Sequence, residues 1–509
     1  MKAFLMYWDQ DFDLGRTLPA QEPALTRDLG LDTLFDTMAR GDRFLRTVAK
    51  AAVLSTLDDP GRIRYRQRIL NDCLERPALV RQIYDLAVEA IEAERKIWGI
   101  FGQYPSSILS RSVEVLESFV TPLRKLREIA DEHLAAFQSE GFKTFFEMLT
   151  RELSDDYFEL IDEHLRNLKW RGGVLVSAQL GRGLKGTDYI LLRPRQIKRS
   201  WRERLTGNDH WPYAITIADR DEVGAKAMSE LRDRGINLVA NALAQSTDHI
   251  LDFFTMLRRE VGFYVGCLNL HEQLSRKGEP VCFPEPTAAG EPVLTCRGLY
   301  DVCLSLRLDD RVVGNDVEAG NKSLVIITGA NQGGKSTLLR SFGLAQLMMQ
   351  CGMFVPAELF RANVCHGLFT HYKREEDADM NSGKLDEELR RMSDIADTIR
   401  SNCMLLFNES FAATNEREGS QIARQIVRAL LESGIKVFFV THLFDLAHGF
   451  YMKQRETTLF LRAERQVDGQ RTFKLVEGEP LPTSYGQDVF ERIFSAAAGP
   501  ASPQADQGR

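Results

Sequence analysis

Between Leu324 and Met348 the chain reads LVIITGANQGGKSTLLRSFGLAQLM, and few stretches of this length leave a backbone so little choice. Leu324 to Thr328 is an apolar, β-branched run suited to a buried strand. A loop from Gly329 to Thr337 follows it, and an apolar-periodic helix leaves the loop. Gly329, Gly334, Lys335 and Ser336 fit the pattern G-x-x-x-x-G-K-S. Glycines let successive backbone N–H groups close around anionic oxygens. The helix that follows directs the positive end of its dipole at the same point. A lysine there adds charge beside the outer phosphates of a nucleoside triphosphate, and the adjacent hydroxyl offers an oxygen to Mg²⁺. Gly329, Ala330, Asn331, Gln332, Gly333, Gly334, Lys335, Ser336 and Thr337 are therefore the expected site for ATP and Mg²⁺. No base-reading motif is evident, which leaves guanine specificity open.

Two later apolar runs also end in chemistry. MLLFNES, Met404 to Ser410, finishes on Asn408 and Glu409, and KVFFVTH finishes on His442. A glutamate at a strand end is placed to orient or deprotonate an attacking water. A histidine there can sense the terminal phosphate or hold that water. Each residue alone reads equally as a surface glutamate or a structural histidine. Three strand ends bearing phosphate, acid and histidine chemistry in order match the rule that open parallel sheets bind ligands at their carboxyl ends. The expected catalytic set is Lys335, Glu409 and His442, and the expected metal set is Ser336, Asn408 and Glu409. The first member of the acidic pair normally helps hold Mg²⁺, and here it is an amide. The loss of one charge at an effective dielectric of ~20 opposes metal binding by a few kcal/mol before relaxation.

The rest of the 509 residues implies several structural units. Residues 1–168 read as successive helices, with Ile83, Leu86, Ala87, Ala90, Ile91 and Ala93 at helical spacing and Pro122 marking a kink or a helix start. The period changes at Gly172-Gly173, and GGVLVSAQLGRGLKGTDYILLRP predicts two strands about a glycine-rich turn within a β-containing insert, 169–220. Lever-like helices are predicted over 221–278, interrupted near Gly235 and Gly262, then an α/β region over 279–495 and a disordered tail over 496–509. The fold class is thus multidomain, an all-α core and lever region with a small β insert ahead of an α/β P-loop ATPase domain of the ABC type. Eight cysteines lack the close pairing of a zinc site and read as buried reduced thiols. The N-terminus meets acid at Asp9, too soon for a secretory apolar core, and no apolar run nears the ~18 residues of a membrane span. The expectation is a cytoplasmic chain with no membrane partner.

ITGANQGGKST, LLFNESFAATNEREG, VFFVTHLFDLAHGF and PLPTSYGQDVFERIF together resemble the MutS family of DNA mismatch-repair ATPases. The resemblance spans roughly Leu299 to Phe494, and the helical region before it is similar to that family's core and lever helices. It implies the shorter branch of the family, without the N-terminal mismatch-reading domain. The Phe145-x-Glu147 triplet in FFEM is the kind that domain uses, but it sits in a helical stretch and reads as coincidence. The resemblance further implies a homodimer through the ATPase domain, with a serine from one subunit completing the other's site. Ser382, ahead of the helical pattern GKLDEELRRMSDI, matches that serine and equally suits a plain helix cap. The family's aromatic beneath the adenine has no counterpart near Val312, with Tyr300 a weak substitute. KREEDADM, with Glu375, Glu376, Asp377 and Asp379, is either a solvated loop or a source of the missing carboxylate.

A net charge of −7 advertises no nucleic-acid binder, so any DNA surface must be local. The dense basic segment RPRQIKRSWRERL supplies Arg193, Arg195, Lys198, Arg199, Arg202 and Arg204 around Trp201. Such residues neutralise phosphates, while Trp201 or Trp211 could stack on an unpaired base. The segment reads as a reduced clamp or as a connector paired with acids elsewhere. The sequence thus points to a dimeric, ATP-driven protein engaging mismatched, branched or otherwise structured DNA without sequence preference, with room for an accessory repair protein. Its rival is a nucleotide-switched scaffold for a protein partner, favoured by Asn408, the acidic charge and the missing reader domain. No nuclease constellation of clustered histidine and aspartate is apparent.

Overall fold

Side-chain caps start several helices where the sequence offers Asp or Ser ahead of an apolar-periodic run. Asp42 accepts from Phe44 N and Leu45 N at the head of the helix Arg43–Leu54, Ser139 from Phe142 N at Glu140–Glu152, and Ser154 from Tyr157 N at Asp155–Leu168. Proline opens the helices Pro60–Glu75, Pro77–Lys96 and Pro105–His133, where its missing N–H costs nothing. The computed structural model describes residues 1–97, 104–169, 175–192, 217–218, 220–290, 292–374, 383–453, 456–465 and 471–481. These fall into two compact units. The first holds Met1–Leu5, Asp9–Phe12 and Ala78–Val261, and the second holds Met6–Trp8, Asp13–Pro77 and Gly262 onward.

The described residues of the first unit are helical apart from one hairpin. It contains α5 (Pro77–Lys96), α6 (Pro105–His133), α7 (Glu140–Glu152) and α8 (Asp155–Leu168), the antiparallel pair β1 (Leu175–Leu180) and β2 (Gly186–Leu192), and α9 as far as Val261. Ile83, Leu86, Ala87, Ala90 and Ile91 are buried along one stripe of α5, as their spacing predicts. Phe145 is fully buried and packs on Phe146 inside α7, so FFEM belongs to a helical core. The carboxylate of Glu260 accepts from Leu5 N at 2.6 Å and Phe12 N at 3.1 Å, tying the N-terminal strap to α9.

Pro122 lies within α6, so of its two readings the helix start is set aside. One sequence expectation is corrected here. Helix α9, Glu222–Arg276, runs 55 residues without a break at Gly235 or Gly262. Gly235 reflects crowding instead, because a Cβ there would lie 2.6 Å from Val176 Cγ2 of the hairpin. A helix this long absorbs the ~1 kcal/mol a glycine costs in exchange for that approach.

The second unit contains α1 (Glu22–Leu29), α2 (Leu31–Ala39), α3 (Arg43–Leu54), α4 (Pro60–Glu75) and the remainder of α9, ahead of an α/β region. Its six-stranded sheet has the order β12-β11-β6-β10-β9-β8. The strands are β6 (Leu324–Thr328), β8 (Leu368–Tyr372), β9 (Met404–Asn408), β10 (Lys436–Val440), β11 (Thr458–Arg465) and β12 (Arg471–Glu477). All pairings are parallel except β11 with β12. A second sheet of order β3-β7-β4-β5 uses β3 (Glu285–Thr287), β4 (Leu294–Leu299), β5 (Asn315–Glu318) and β7 (Leu359–Asn363). Helices α10 (Val302–Arg307), α11 (Lys335–Gln350), α12 (Lys384–Thr398), α13 (Glu416–Glu432) and α14 (Phe444–Tyr451) complete it.

Phe407, Phe411, Phe439, Val427 and Leu446 build the core on one face of the larger sheet, and Phe342 of α11 packs on Phe438 at 4.9 Å on the other. Every cysteine is free, and all but the half-buried Cys282 are buried. Burial pushes the Cys351 and Cys365 thiols up to about 12, as befits inert core residues. No helix among the described residues is long and apolar enough to cross a membrane.

Candidate active site

The parallel register sets the site. Val440 pairs with Asn408 and with Ile327, so β6, β9 and β10 end level, and the residues after them emerge side by side. Gly329 (φ 110°) and Gly334 (φ 90°) take left-handed backbone that lets the loop after β6 fold over the start of α11. Gln332 adopts φ 58° in the same loop. The β11–β12 hairpin crowds the loop from outside. A Cβ at Gly333 would lie 2.7 Å from Ala463 Cβ, and one at Gly334 would lie 3.2 Å from Phe473 O.

Lys335 is buried at the first position of α11, and its ammonium donates to Gly329 O at 3.0 Å and Ala330 O at 2.8 Å. Burial lowers its pKa to about 8, against the opposing pull of Glu409. An anion brought to the loop would favour its charged form. Ser336 Oγ donates to Asn408 Oδ1 at 2.9 Å. Asn408 O in turn accepts from Lys373 N at 2.9 Å, which fixes the end of β9.

Beside them Glu409 Oε1 lies 3.1 Å from His442 Nε2. A carboxylate only accepts, so Nε2 carries the proton. That hydrogen bond is the main reason the Glu409 carboxyl sits below its ordinary range, with Lys335 and Lys373 adding to it. Glu409 itself has a left-handed backbone, φ 55°, and its N–H donates to Val440 O at 2.9 Å.

The oxygens of Ser336, Asn408 and Glu409 are the hard, neutral or anionic donors that Mg²⁺ prefers. The 2.9 Å between Ser336 Oγ and Asn408 Oδ1, a hydrogen bond here, also matches the edge of an octahedron with ligands at about 2.0–2.1 Å, so that pair could serve as neighbouring ligands of the ion. A cleft of about 290 Å³, lined by Thr328, Gly329, Thr441, His442, Phe444 and Leu481 among others, opens beside the loop.

The structure thus brings Gly329–Thr337, Asn408, Glu409 and His442 to one edge of the sheet. Ser382, the acids Glu375 to Asp379, the Ser-Tyr-Gly at 484–486 and the basic residues Arg193, Arg195, Lys198, Arg199, Trp201, Arg202 and Arg204 lie outside the described residues. Tyr300 is corrected as a base platform. It is 1% exposed, and burial raises its hydroxyl pKa. Phe473, which sequence reading passed over, is 46% exposed, adopts φ 56°, and shares its carbonyl with Asn315 Nδ2 at 3.3 Å. Its signal was faint, a single aromatic in the short strand RTFKLVE.

Comparison with known proteins agrees with this geometry. The MutS2 N-terminal domain family matches residues 58–277, and the MutS domain V family matches residues 325–498. The chain is similar to "Endonuclease MutS2" of Ligilactobacillus salivarius, 23% identical over 75% of this chain and 49% of that protein. It is similar to human "MutS protein homolog 4", 28% identical over 55% of this chain and 30% of that protein. It is also similar to "Endonuclease MutS2" of Lacticaseibacillus casei, 32% identical over 33% of this chain and 22% of that protein. The chain therefore spans about half or less of the curated relatives it matches. Neither matched segment is a mismatch-recognition domain. A MutS2-type helical segment followed in the same chain by a MutS domain V places this protein in one group: it belongs to the MutS family.

Proposed function

We propose that this protein binds ATP with Mg²⁺, hydrolyses it slowly as a homodimer joined through its ATPase region, and couples that cycle to mismatched, branched or otherwise structured DNA. The observation that carries the reading is the convergence of Lys335, the Ser336–Asn408 pair and the Glu409–His442 pair at three adjacent strand ends. In this reading the loop N–H groups and Lys335 hold the triphosphate, and the exposed Phe473 ring offers the base a stacking face. Ser336, Asn408 and Glu409 would hold Mg²⁺, which neutralises charge on the phosphates when bound. Glu409, kept ionised by His442, is a weak base, so its role is chiefly to accept a hydrogen bond from the attacking water and aim it. A phosphoryl transfer with a loose transition state asks for little more than that. The neutral oxygen of Asn408 supports slow turnover.

The test pairs ATP turnover, with and without branched DNA at two salt concentrations, with direct DNA binding. DNA stimulation that fades with salt supports the reading. Charge reversal at Arg195, Lys198, Arg199 and Arg202 should abolish DNA affinity and spare ATP binding, and Glu409→Ala should keep nucleotide and lose turnover. ATP binding without DNA affinity at any salt would favour the scaffold instead.

A further inference from the structure

We propose that Glu388, in the second turn of α12, is a positioning residue that sets where Glu409 points. This rests on the hydrolytic role just proposed for Glu409 and deepens it. The turn after β9 holds two non-glycine residues with left-handed backbone, Glu409 at φ 55° and Phe411 at φ 63°. Bulky L-residues avoid that region, so something must hold Phe411 in it. Phe411 is fully buried, and its N–H donates to the Glu388 carboxylate, Oε2, at 2.8 Å.

The backbone of the same glutamate grips the neighbouring residue. Glu388 O lies 2.9 Å from His371 Nε2, and a carbonyl can only accept, so the neutral imidazole carries its proton there. The Ser410 hydroxyl donates its one proton to His371 O at 2.6 Å, and its oxygen lies 2.7 Å from Nδ1 of the same residue. The His371 ring lies on Phe411 with centroids 5.2 Å apart and planes 17° from parallel. Burial lowers the imidazole pKa to about 4, which keeps it neutral in this role. Residues 410 and 411 are therefore both tied to position 388, one through His371 and one directly. On the other side Glu409 N is anchored to Val440 O, and what remains free of Glu409 is its carboxylate, turned to His442.

A buried carboxylate is a costly way to anchor a helix, and Glu388 is only 3% exposed. Yet Glu388 and Met392 are the only buried residues of α12. The helix has little apolar grip on the sheet, with Ile395 and Ile399 partly buried beside Met392. Its hold is concentrated at the residue that shapes the Glu409 turn. A displacement of α12 would reach the Glu409 turn through the Glu388–Phe411 contact as well as through Met392 in the core beside it.

The experiment compares Glu388→Ala and Glu388→Gln in the full chain, reading ATP affinity with a fluorescent nucleotide and kcat by phosphate release. Glutamine's amide oxygen still accepts from Phe411 N–H, whereas alanine leaves that donor unpaired in the core. We expect Glu388→Ala to lose about tenfold or more in kcat with ATP affinity held within about twofold, and Glu388→Gln to stay within about threefold of wild type. If Glu388→Ala fails to fold, Glu388→Asp, about 1.5 Å too short to reach, should show the same loss of kcat with affinity kept. Wild-type kcat in Glu388→Ala or Glu388→Asp overturns the inference, as does a Glu388→Gln enzyme as slow as Glu388→Ala. A wild-type chain that binds no ATP or never turns it over sinks the proposed function itself, which is a separate failure.

Discussion

Replacing His442 by alanine isolates the work of a single hydrogen bond. His442 Nε2 donates to Glu409 Oε1 at 3.1 Å, with side chains 27% and 34% exposed. A hydrogen bond to a charged group contributes about 1.5–3 kcal/mol. Partial exposure screens it to ~1–2 kcal/mol, a factor of roughly 5–30 in rate if Glu409 loses its orientation with it. Affinity for ATP should stay near wild type, because His442 touches neither Lys335 nor Ser336 in this structure. The pH dependence carries a sign. The contact depresses the Glu409 pKa, so the ionised form persists to lower pH with His442 present. Without it the carboxyl protonates at higher pH, the acid limb of kcat moves up, and the deficit widens as pH falls through the ordinary carboxyl range. The assay is phosphate release at saturating ATP and Mg²⁺ from about pH 8 down to about pH 4, which spans the ordinary carboxyl range, with His442→Gln, which keeps an N–H donor, as the partial rescue. An unchanged kcat, or a mutant-to-wild-type ratio that is flat with pH, would refute the reasoning.

Three further outcomes concern Asn408, Gly235 and Asp301. Asn408→Asp should lower the Mg²⁺ concentration that half-saturates turnover by about tenfold or more, since a full charge at that range is worth a few kcal/mol at an effective dielectric of ~20; a metal titration checks it. Gly235→Val should loosen the β1–β2 hairpin from α9 by about 1–3 kcal/mol through overpacking on Val176, seen as faster hydrogen exchange in the hairpin, and Val176→Ala should relieve it. Asp301→Ala should destabilise the second unit by about 3–5 kcal/mol in a urea titration, because the fully buried carboxylate both pairs with Arg340 and caps α10 through Leu304 N.

The meeting of loop, acid and histidine was legible where local geometry dictates residue type. The glycines, lysine and serine of the loop, and the polar residues closing two apolar strands, come to one edge because their strands lie parallel and end level. The grouping of 13–77 with Gly262 onward was not legible, since packing between distant segments leaves no period in either. Gly235 was misread as a breaker because its partner, Val176, is 59 residues earlier in the chain. Nothing local marks the left-handed backbone of Phe411, because its contacts with Glu388 and His371 come from outside any local window. The amide at Asn408 was visible at once, but only the structure shows its oxygen engaged with Ser336.

The hairpin that crowds the loop from outside has an evolutionary corollary. Gly333 has no room for a methyl group because Ala463 stands in the way, whatever the loop binds. The invariance expected of such a loop is then partly imposed by its neighbour rather than by phosphate. Lineages in which position 463 shrinks to glycine would keep only the limit set by Ala330 O, 3.1 Å from such a Cβ, and the two sites should be found to change in concert.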